Sequence, residues 1–204
     1  MPNYLIQVVK DFEIEEVVCQ VLDLNKEYEA ISAGYSTNAK RQIKKGIKNK
    51  LKVLDVDDSE VFIQLFKETV GVKLNFTEDN YDRLQNLIQA GLAAGSGKLV
   101  SVQLCDSIVA MGFFFIQKDR VTYLKGASTI KGKDSGAMYY LMDSMIKEYS
   151  SSKRVFDFGG SKVSSVADFY KKLGGKDQTY LSFSKNDLPW LLKKAKEVRD
   201  KLKK

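Results

Sequence analysis

Short apolar runs alternate along the chain with longer segments in which apolar residues recur at helical spacing. The short runs are rich in β-branched and aromatic residues, which is typical of strands. The predicted strands are YLIQVVK, EVVCQVLDL, LKVLDV, KLVSVQLC, IVAMGFFFIQ, RVTYLKGAS, RVFDF and QTYLSF. Turns at Asp106-Ser107 and Lys118-Asp119 predict that the fourth to sixth of these strands form hairpins.

The longer segments predict amphipathic helices. These helices are STNAKRQIKKGIKNK, DDSEVFIQLFKETVG, TEDNYDRLQNLIQAGLAAG, residues 134–149, SVADFYKKLG and DLPWLLKKAKEVRDKLKK. A helix between two strands of one sheet usually connects them in parallel with a right-handed crossover. We therefore expect an α/β mixed sheet in which strand 154–158 lies parallel to strand 121–128, with helix 134–149 as the crossover.

Composition limits the chemistry that the chain can perform. The 204 residues include no histidine, which excludes Ser-His-Asp and Cys-His nucleophiles and histidine-based zinc motifs, so no metal is expected. Catalysis would have to use carboxylates, Tyr, Lys, Ser or backbone dipoles. Cys19 and Cys105 each lie in an apolar run predicted to be a strand, and we expect both to be buried thiols in a reducing compartment. A signal-peptide run and an 18-residue apolar stretch are both missing, which predicts a cytoplasmic protein.

Charge is distributed unevenly. The net charge is +7, but residues 1–35 hold two basic and seven acidic side chains. We therefore predict an acidic N-terminal strand extension over residues 1–35 and a main domain over residues 36–204 that meets an anionic partner.

A basic run, NAKRQIKKGIKNKLK, opens the main domain with seven cationic side chains and no acid. Lys40, Arg41, Lys44 and Lys45 would form a cationic helix face able to contact phosphates of tRNA, a nucleotide or coenzyme A. A solvated helix surface is the alternative interpretation of the same run.

The stretch FDFGGS places Asp157 between two phenylalanines of a predicted buried strand. A carboxylate there is either a structural hydrogen-bond hub or a site group with a raised pKa. Gly159 and Gly160, followed by Ser161, would allow close approach of a ligand, and their amides could stabilise an oxyanion. A plain turn after a buried strand is the alternative.

Two further motifs carry candidate site residues. KGKDSGAM leads into helix 134–149, and helix N-termini attract anions. A solvated glycine-rich turn is the alternative interpretation of this motif. Its candidate anion-binding residues are Lys131, Lys133, Ser135, Gly136 and Ala137. The motif FYKKLGG carries Tyr170 and Lys171, on a helix that could equally be an ordinary amphipathic one.

FDFGGS followed by ADFYKKLGG resembles the C-terminal half of the Fem-type peptidyltransferases and their GNAT-like relatives. The resemblance extends to GKDSGAMYYLMDSMI, YSTNAKRQIKKG and LPWLLKKAK and covers roughly residues 22 to 200. It implies a GNAT-like acyl-CoA N-acyltransferase fold, here a single lobe with a short N-terminal strand extension. In this fold two central strands part to admit an acyl donor.

The resemblance also implies a function, namely transfer of an acyl or aminoacyl group from acyl-CoA or aminoacyl-tRNA to an amine. In Fem-type enzymes the amine belongs to a cell-wall precursor, which makes such a precursor one candidate acceptor. Tyr170 would protonate the leaving group, as in many GNAT enzymes, whereas a Fem-like Phe-Lys register would make Lys171 a charge stabiliser. Asp157 would accept the proton of the amine or orient it.

The resemblance leaves one alternative function open. Residues 1–35 are too few for the first of the two Fem lobes, so a catalytically inactive GNAT scaffold that serves as a binding module is the alternative. The oligomeric state is also left open, with a homo-oligomer among the expectations.

Overall fold

A computed structural model describes residues 12–160, 163–185, 187–189, 192, 194 and 199. The strands are β1 (Glu13–Asp23), β2 (Lys52–Val56), β3 (Gly97–Leu104), β4 (Ser107–Ile116), β5 (Arg120–Ser128), β6 (Val155–Asp157) and β7 (Lys176–Ser184). The helices are α1 (Tyr28–Ala33), α2 (Thr37–Lys48), α3 (Ser59–Phe66), α4 (Val72–Leu74), α5 (Glu78–Ala93), α6 (Ile130–Ser135), α7 (Ala137–Tyr149) and α8 (Ser164–Lys172). A π-helical turn, Lys67–Gly71, joins α3 to α4.

Within the described part of the chain, seven strands form one mixed sheet in the order β2-β3-β4-β5-β6-β1-β7. Strands β2 to β5 pair antiparallel, whereas β5 and β6 pair in parallel with α7 between them in sequence. The predicted mixed sheet and its parallel crossover are therefore confirmed.

The parallel pairing of β5 and β6 is short. It covers only Arg120 to Thr122 against Val155 to Asp157. Strand β5 then continues to Ser128, whereas β6 ends at Asp157. The two central strands therefore part after three residues, and the edge of β5 beyond Thr122 faces an opening in the sheet.

Each face of the sheet carries its own apolar core. One core contains Phe114 and Tyr123 of the sheet with Leu141 and Met142 of α7, which come from the apolar stripe of that helix. The other core packs α3 and α5 against the sheet and contains Phe62, Phe66, Ile88 and Phe113. Neighbouring residues of β4, Phe113 and Phe114, thus serve opposite faces, as the alternation of a strand requires.

Three details differ from expectation. Cys19 is buried in β1, but the prediction for Cys105 was wrong: it is exposed, with a φ of 54°, because Cys105 and Asp106 form the turn between the paired Leu104 and Ser107. The expected helix 134–149 is broken, because Gly136 takes a left-handed φ of 79° between α6 and α7. Helix α1 was not predicted. The predicted strand YLIQVVK and most of the predicted last helix lie outside the described residues.

Residues Cys19–Gln178 form one compact unit, and the described residues before and after them form a second. In the second unit the rings of Phe12 and Phe183 meet edge to face, with centroids 6.4 Å apart. The predicted boundary at residue 35 stays a prediction. Among the described helices, each is too short or too polar to cross a membrane.

Candidate functional site

A cavity of about 680 Å³ opens where β5 and β6 part. Its lining comes from residues 123–126 of β5, residues 158–160 after β6, the α6–α7 junction, α8 and the segment from α3 to α4. These segments all belong to the larger compact unit. The gap in the sheet and the cavity are therefore one feature, and the residues predicted from FDFGGS, KGKDSGAM and FYKKLGG can be located against it.

Two buried tyrosines stand in this cavity. Tyr170, near the end of α8, stacks on Phe158 with ring centroids 5.0 Å apart and meets the ring of Tyr123 edge-on at 6.3 Å. Burial raises the pKa of Tyr170 to about 12. Burial, followed by the charge of Tyr170, also raises the pKa of Tyr123. Both phenols therefore keep their protons at neutral pH and can donate hydrogen bonds.

The glycine pair that follows β6 forms part of the cavity lining. Gly159 and Gly160 have φ angles of 77° and 66°, in the region that favours glycine, and both line the cavity. A side chain at position 159 would come within 3.1 Å of the Tyr123 carbonyl oxygen. The two glycines therefore let the chain turn away from β6 while staying close to β5. Ser161 lies outside the described residues.

Asp157 contacts both the glycine turn and the neighbouring strand β5. Its Oδ2 lies 2.6 Å from Arg120 Nη1, and its Oδ1 accepts a hydrogen bond from the Gly159 amide at 2.8 Å. The Asp157 side chain is 16% exposed and does not line the cavity. The carboxylate thus links β5, the end of β6 and the glycine turn.

Lys171 faces away from the cavity. Its Nζ lies 2.7 Å from Asp177 Oδ2, and the lysine is half exposed. The hydrogen bond to Asp177 raises the pKa of Lys171. Of the two residues in the ambiguous motif, the structure places Tyr170 in the cavity and Lys171 in an ion pair between α8 and β7.

The α6–α7 junction forms another wall. Lys133 and Gly136 line the cavity, and Gly136 begins α7 without a side chain that could cap it. A β-carbon at Gly136 would lie 2.6 Å from the Gln42 carbonyl oxygen, so α2 packs directly on this junction. Ser135 is buried and donates to the Gly132 carbonyl at 3.1 Å. Two other candidates lie outside the lining, Ala137 fully buried and Lys131 exposed.

The basic face of α2 is exposed and separate from the cavity lining. Ser36 caps the helix by accepting from the Ala39 amide, and the helix buries Ala39, Ile43 and Gly46. The cationic residues Lys40, Arg41, Lys44 and Lys45 all point to solvent. Helix α2 itself packs on α6 and α7 through residues outside this face, with the Gln42 carbonyl close to Gly136.

Sequence reasoning missed several lining residues. Tyr123 was only one apolar residue of a predicted strand, and its position in the gap depends on where β6 ends. Lys125, a charge inside the apolar run RVTYLKGAS, was an available signal. Phe66, Val70 and Leu74 line the cavity from the segment that runs from α3 to α4. The helix predicted there, DDSEVFIQLFKETVG, ends at Gly71, so it included Phe66 and Val70 but not Leu74.

The sequence matches the family described as acetyltransferase (GNAT) domain over residues 34–172. The chain belongs to the GNAT family. The matched range begins just before α2 and ends with α8, so it contains the gap, both tyrosines and the α6–α7 junction. No curated protein matches the sequence.

Solved structures confirm the GNAT fold. FemX matches with a TM-score of 0.68 at 15% identity, over 88% of this chain and 66% of FemX. The C-terminal domain of a putative lysylphosphatidylglycerol synthetase from Agrobacterium fabrum matches with a TM-score of 0.54 at 14% identity, over 90% of this chain and 66% of that one. A possible acetyltransferase from Clostridium difficile 630 matches with a TM-score of 0.54 at 13% identity, over 68% of this chain and 99% of that one. The chain thus spans about two thirds of FemX. The predicted resemblance is confirmed, in that the family is GNAT and the fold is shared with FemX.

Proposed function

We propose that this GNAT protein transfers an acyl or aminoacyl group from an activated donor, acyl-CoA or aminoacyl-tRNA, to an amine. The observation that carries the proposal is the cavity in the gap between β5 and β6, with the phenols of Tyr123 and Tyr170 inside it. Both phenols are protonated at neutral pH because burial raises their pKa values. Buried hydrogen-bond donors that are held in place by packing are suited to stabilising the charge that develops during acyl transfer.

The residues at the α6–α7 junction fit the phosphates of such a donor. Gly136 leaves the first amides of α7 without a side-chain cap, and Lys133 adds an exposed cation beside them. A helix N-terminus without a side-chain cap, together with a lysine, suits the pyrophosphate of acyl-CoA. With aminoacyl-tRNA, the basic face of α2 would contact further phosphates, because α2 packs on the same junction.

The chemistry needs two proton movements. The amine nitrogen forms a bond to the donor carbonyl carbon, the carbon–sulfur or ester carbon–oxygen bond breaks, and the amine loses a proton while the leaving group gains one. Tyr170 is our proposed proton donor to the leaving group. Gly160 offers an amide to the developing oxyanion, while the Gly159 amide is bonded to Asp157.

Asp157 has two candidate roles in this scheme. It could accept the proton of the amine, directly or through water, as the sequence predicts. Its two oxygens contact Arg120 and the Gly159 amide, which supports a positioning role for the glycine turn. Lys171 stays a candidate charge stabiliser that would have to leave Asp177.

A non-catalytic binding module is the second candidate function. It is favoured by the location of Asp157 and Lys171, since both are held in ion pairs outside the cavity lining. Such a module would bind a donor or an amine ligand in the cavity without transferring the acyl group.

Single-turnover transfer distinguishes the two functions. Acetyl-CoA and aminoacyl-tRNA would each be tested with a panel of amines, using wild type, Tyr170→Phe and, as a control, Tyr180→Phe on β7. We expect wild type to transfer from at least one donor and Tyr170→Phe to be about 100-fold slower with donor binding retained. Full activity of Tyr170→Phe would refute the proton-donor role, and donor binding without transfer by wild type would favour the binding module.

A further inference from the structure

The cavity reaches both faces of the sheet. Tyr123 belongs to the core on the α7 face, where Lys133 and Gly136 also lie. Lys125 lies opposite Phe113 in the β4–β5 ladder, and Phe113 belongs to the core on the α3 face. Directly opposed residues of an antiparallel pair project to the same face, so Lys125 lies on the α3 side.

An irregularity in β5 produces this arrangement. The register between β4 and β5 shifts so that Phe113 faces Lys125 while the next residue, Phe114, faces Tyr123. Leu124 is the extra residue, as in a β-bulge, and bulges commonly redirect side chains beside functional sites. The phenol of Tyr123 and the amine of Lys125 are thereby directed to different halves of one cavity.

Lys125 adds a positive charge that the described cavity residues do not neutralise. The lining contains Lys125 and Lys133 but no aspartate or glutamate among its described residues. Within the same described part of the chain, Lys125 is half buried and has no carboxylate within ion-pair distance. A lysine in a largely apolar cavity favours an anionic ligand, because a bound anion would offset the cost of its burial.

The wall beside Lys125 is apolar and irregular. Phe66, Val70 and Leu74 line it, and Val70 lies in the π-helical turn between α3 and α4. The turn is tightly packed, because any side chain at Gly71 would collide with the Tyr81 hydroxyl group. π-Helical turns inside helices are frequent at functional sites. This half of the cavity therefore combines one cation with an ordered apolar wall.

We infer that the α3 side of the cavity binds the acceptor, and that this acceptor is an amine carrying an anionic group, carboxylate or phosphate, next to an apolar group. Lys125 recognises the anion, and Phe66, Val70 and Leu74 contact the apolar part. The inference rests on the proposed function, because it assigns the α6–α7 half of the cavity to the donor and leaves the other half to the acceptor.

Equilibrium binding of three matched amines tests this recognition without requiring turnover. L-Phenylalanine carries a carboxylate, its phosphonate analogue carries a phosphate-like group, and L-phenylalaninamide carries neither. We expect wild type to bind at least one of the two anionic amines about 10-fold or more tightly than the amide, which corresponds to one charge-assisted contact. Whichever of the two anionic amines binds more tightly indicates whether the anionic group of the acceptor is a carboxylate or a phosphate.

Substitutions at Lys125 connect this preference to the lysine. Lys125→Met should abolish the preference, Lys125→Arg should keep it, and Lys73→Met, an exposed lysine of α4 outside the lining, should leave it unchanged. Equal binding of anionic and neutral amines by wild type, or a preference that survives in a folded Lys125→Met variant, would overturn the inference. Acetyl-CoA and aminoacyl-tRNA binding is measured in parallel, so loss of donor binding would count against the proposed function instead.

Discussion

Asp157 offers the sharpest mutational test, because each of its oxygens has a different partner. Asp157→Asn keeps an acceptor for the Gly159 amide but loses the charge pair with Arg120, whereas Asp157→Ala loses both contacts. Because the Arg120 side chain is 36% exposed, solvent screening weakens the ion pair. We therefore expect Asp157→Asn to lower the free energy of unfolding by about 1 kcal/mol. Asp157→Ala should cost about 2 kcal/mol, because the hydrogen bond to the exposed Gly159 amide is also lost.

Urea unfolding gives the stabilities, and titration with donor and single-turnover transfer give the functional consequences. If Asp157 positions the glycine turn, Asp157→Ala should weaken donor binding about 10-fold, while Asp157→Asn stays within a few-fold of wild type. If it accepts the proton of the amine, Asp157→Asn should bind donor normally and transfer about 100-fold more slowly.

Asp168→Asn, on the exposed side of α8, is the matched control and should resemble wild type. The reasoning would be refuted if Asp157→Ala unfolded at the wild-type urea concentration and bound donor with wild-type affinity.

Two further predictions concern stability. In Gly136→Ala the new β-carbon would meet a left-handed φ and would also collide with the Gln42 carbonyl. In the control Gly95→Ala, φ is also positive but the surrounding space is open, so Gly136→Ala should lower the urea midpoint of unfolding more than Gly95→Ala does. Equal decreases in the two midpoints would show that the collision relaxes freely. Burial raises the pKa of Asp143, which accepts a hydrogen bond from Tyr28, so the folded protein binds that proton more tightly than the unfolded chain. Stability should therefore fall as pH rises from about 3.9, the ordinary aspartate value, through the raised pKa, and Asp143→Asn should flatten this slope in urea titrations between pH 4 and 7. An unchanged slope would contradict the assignment.

Local patterns predicted most of the elements. The apolar stripe of residues 138 to 149 identifies α7, and the Ser36 cap with Ala39 and Ile43 on one side identifies α2. The parallel crossover followed from the order of elements, since few chain paths join two parallel strands through a helix. Periodicity and capping are properties of neighbouring residues, so they can be read without knowing the tertiary structure.

The site depends on contacts between distant residues, and there the sequence was less informative. The partner of Asp157 is Arg120, which comes from the neighbouring strand, and Tyr123 reaches the cavity because β6 ends opposite Thr122. The side of the sheet that Lys125 occupies depends on a register shift against β4. Such pairings are set by tertiary packing, and no local pattern in RVTYLKGAS distinguishes them.

The sequence also left the direction of side chains on α8 undecided. A catalytic role was predicted for both Tyr170 and Lys171, but the motif alone did not indicate which of the two side chains lies in the cavity. The structure separates them, because Phe158 stacks on Tyr170 while Asp177 of β7 pairs with Lys171.

The affinity of the acyl donor for two tryptophan variants of α8 tests most directly whether the cavity between β5 and β6 is the donor site. Ser165 is exposed at the cavity lining, and Ser164 precedes it on the same helix outside the lining. A non-hydrolysable acyl-CoA and aminoacyl-tRNA would be titrated against wild type, Ser165→Trp and Ser164→Trp. We predict that at least one donor binds wild type and Ser164→Trp alike and binds Ser165→Trp about 10-fold or more weakly, because the indole fills the opening. Wild-type affinity in a folded Ser165→Trp variant, or no binding of either donor to wild type, would contradict the assignment of the cavity to the acyl donor.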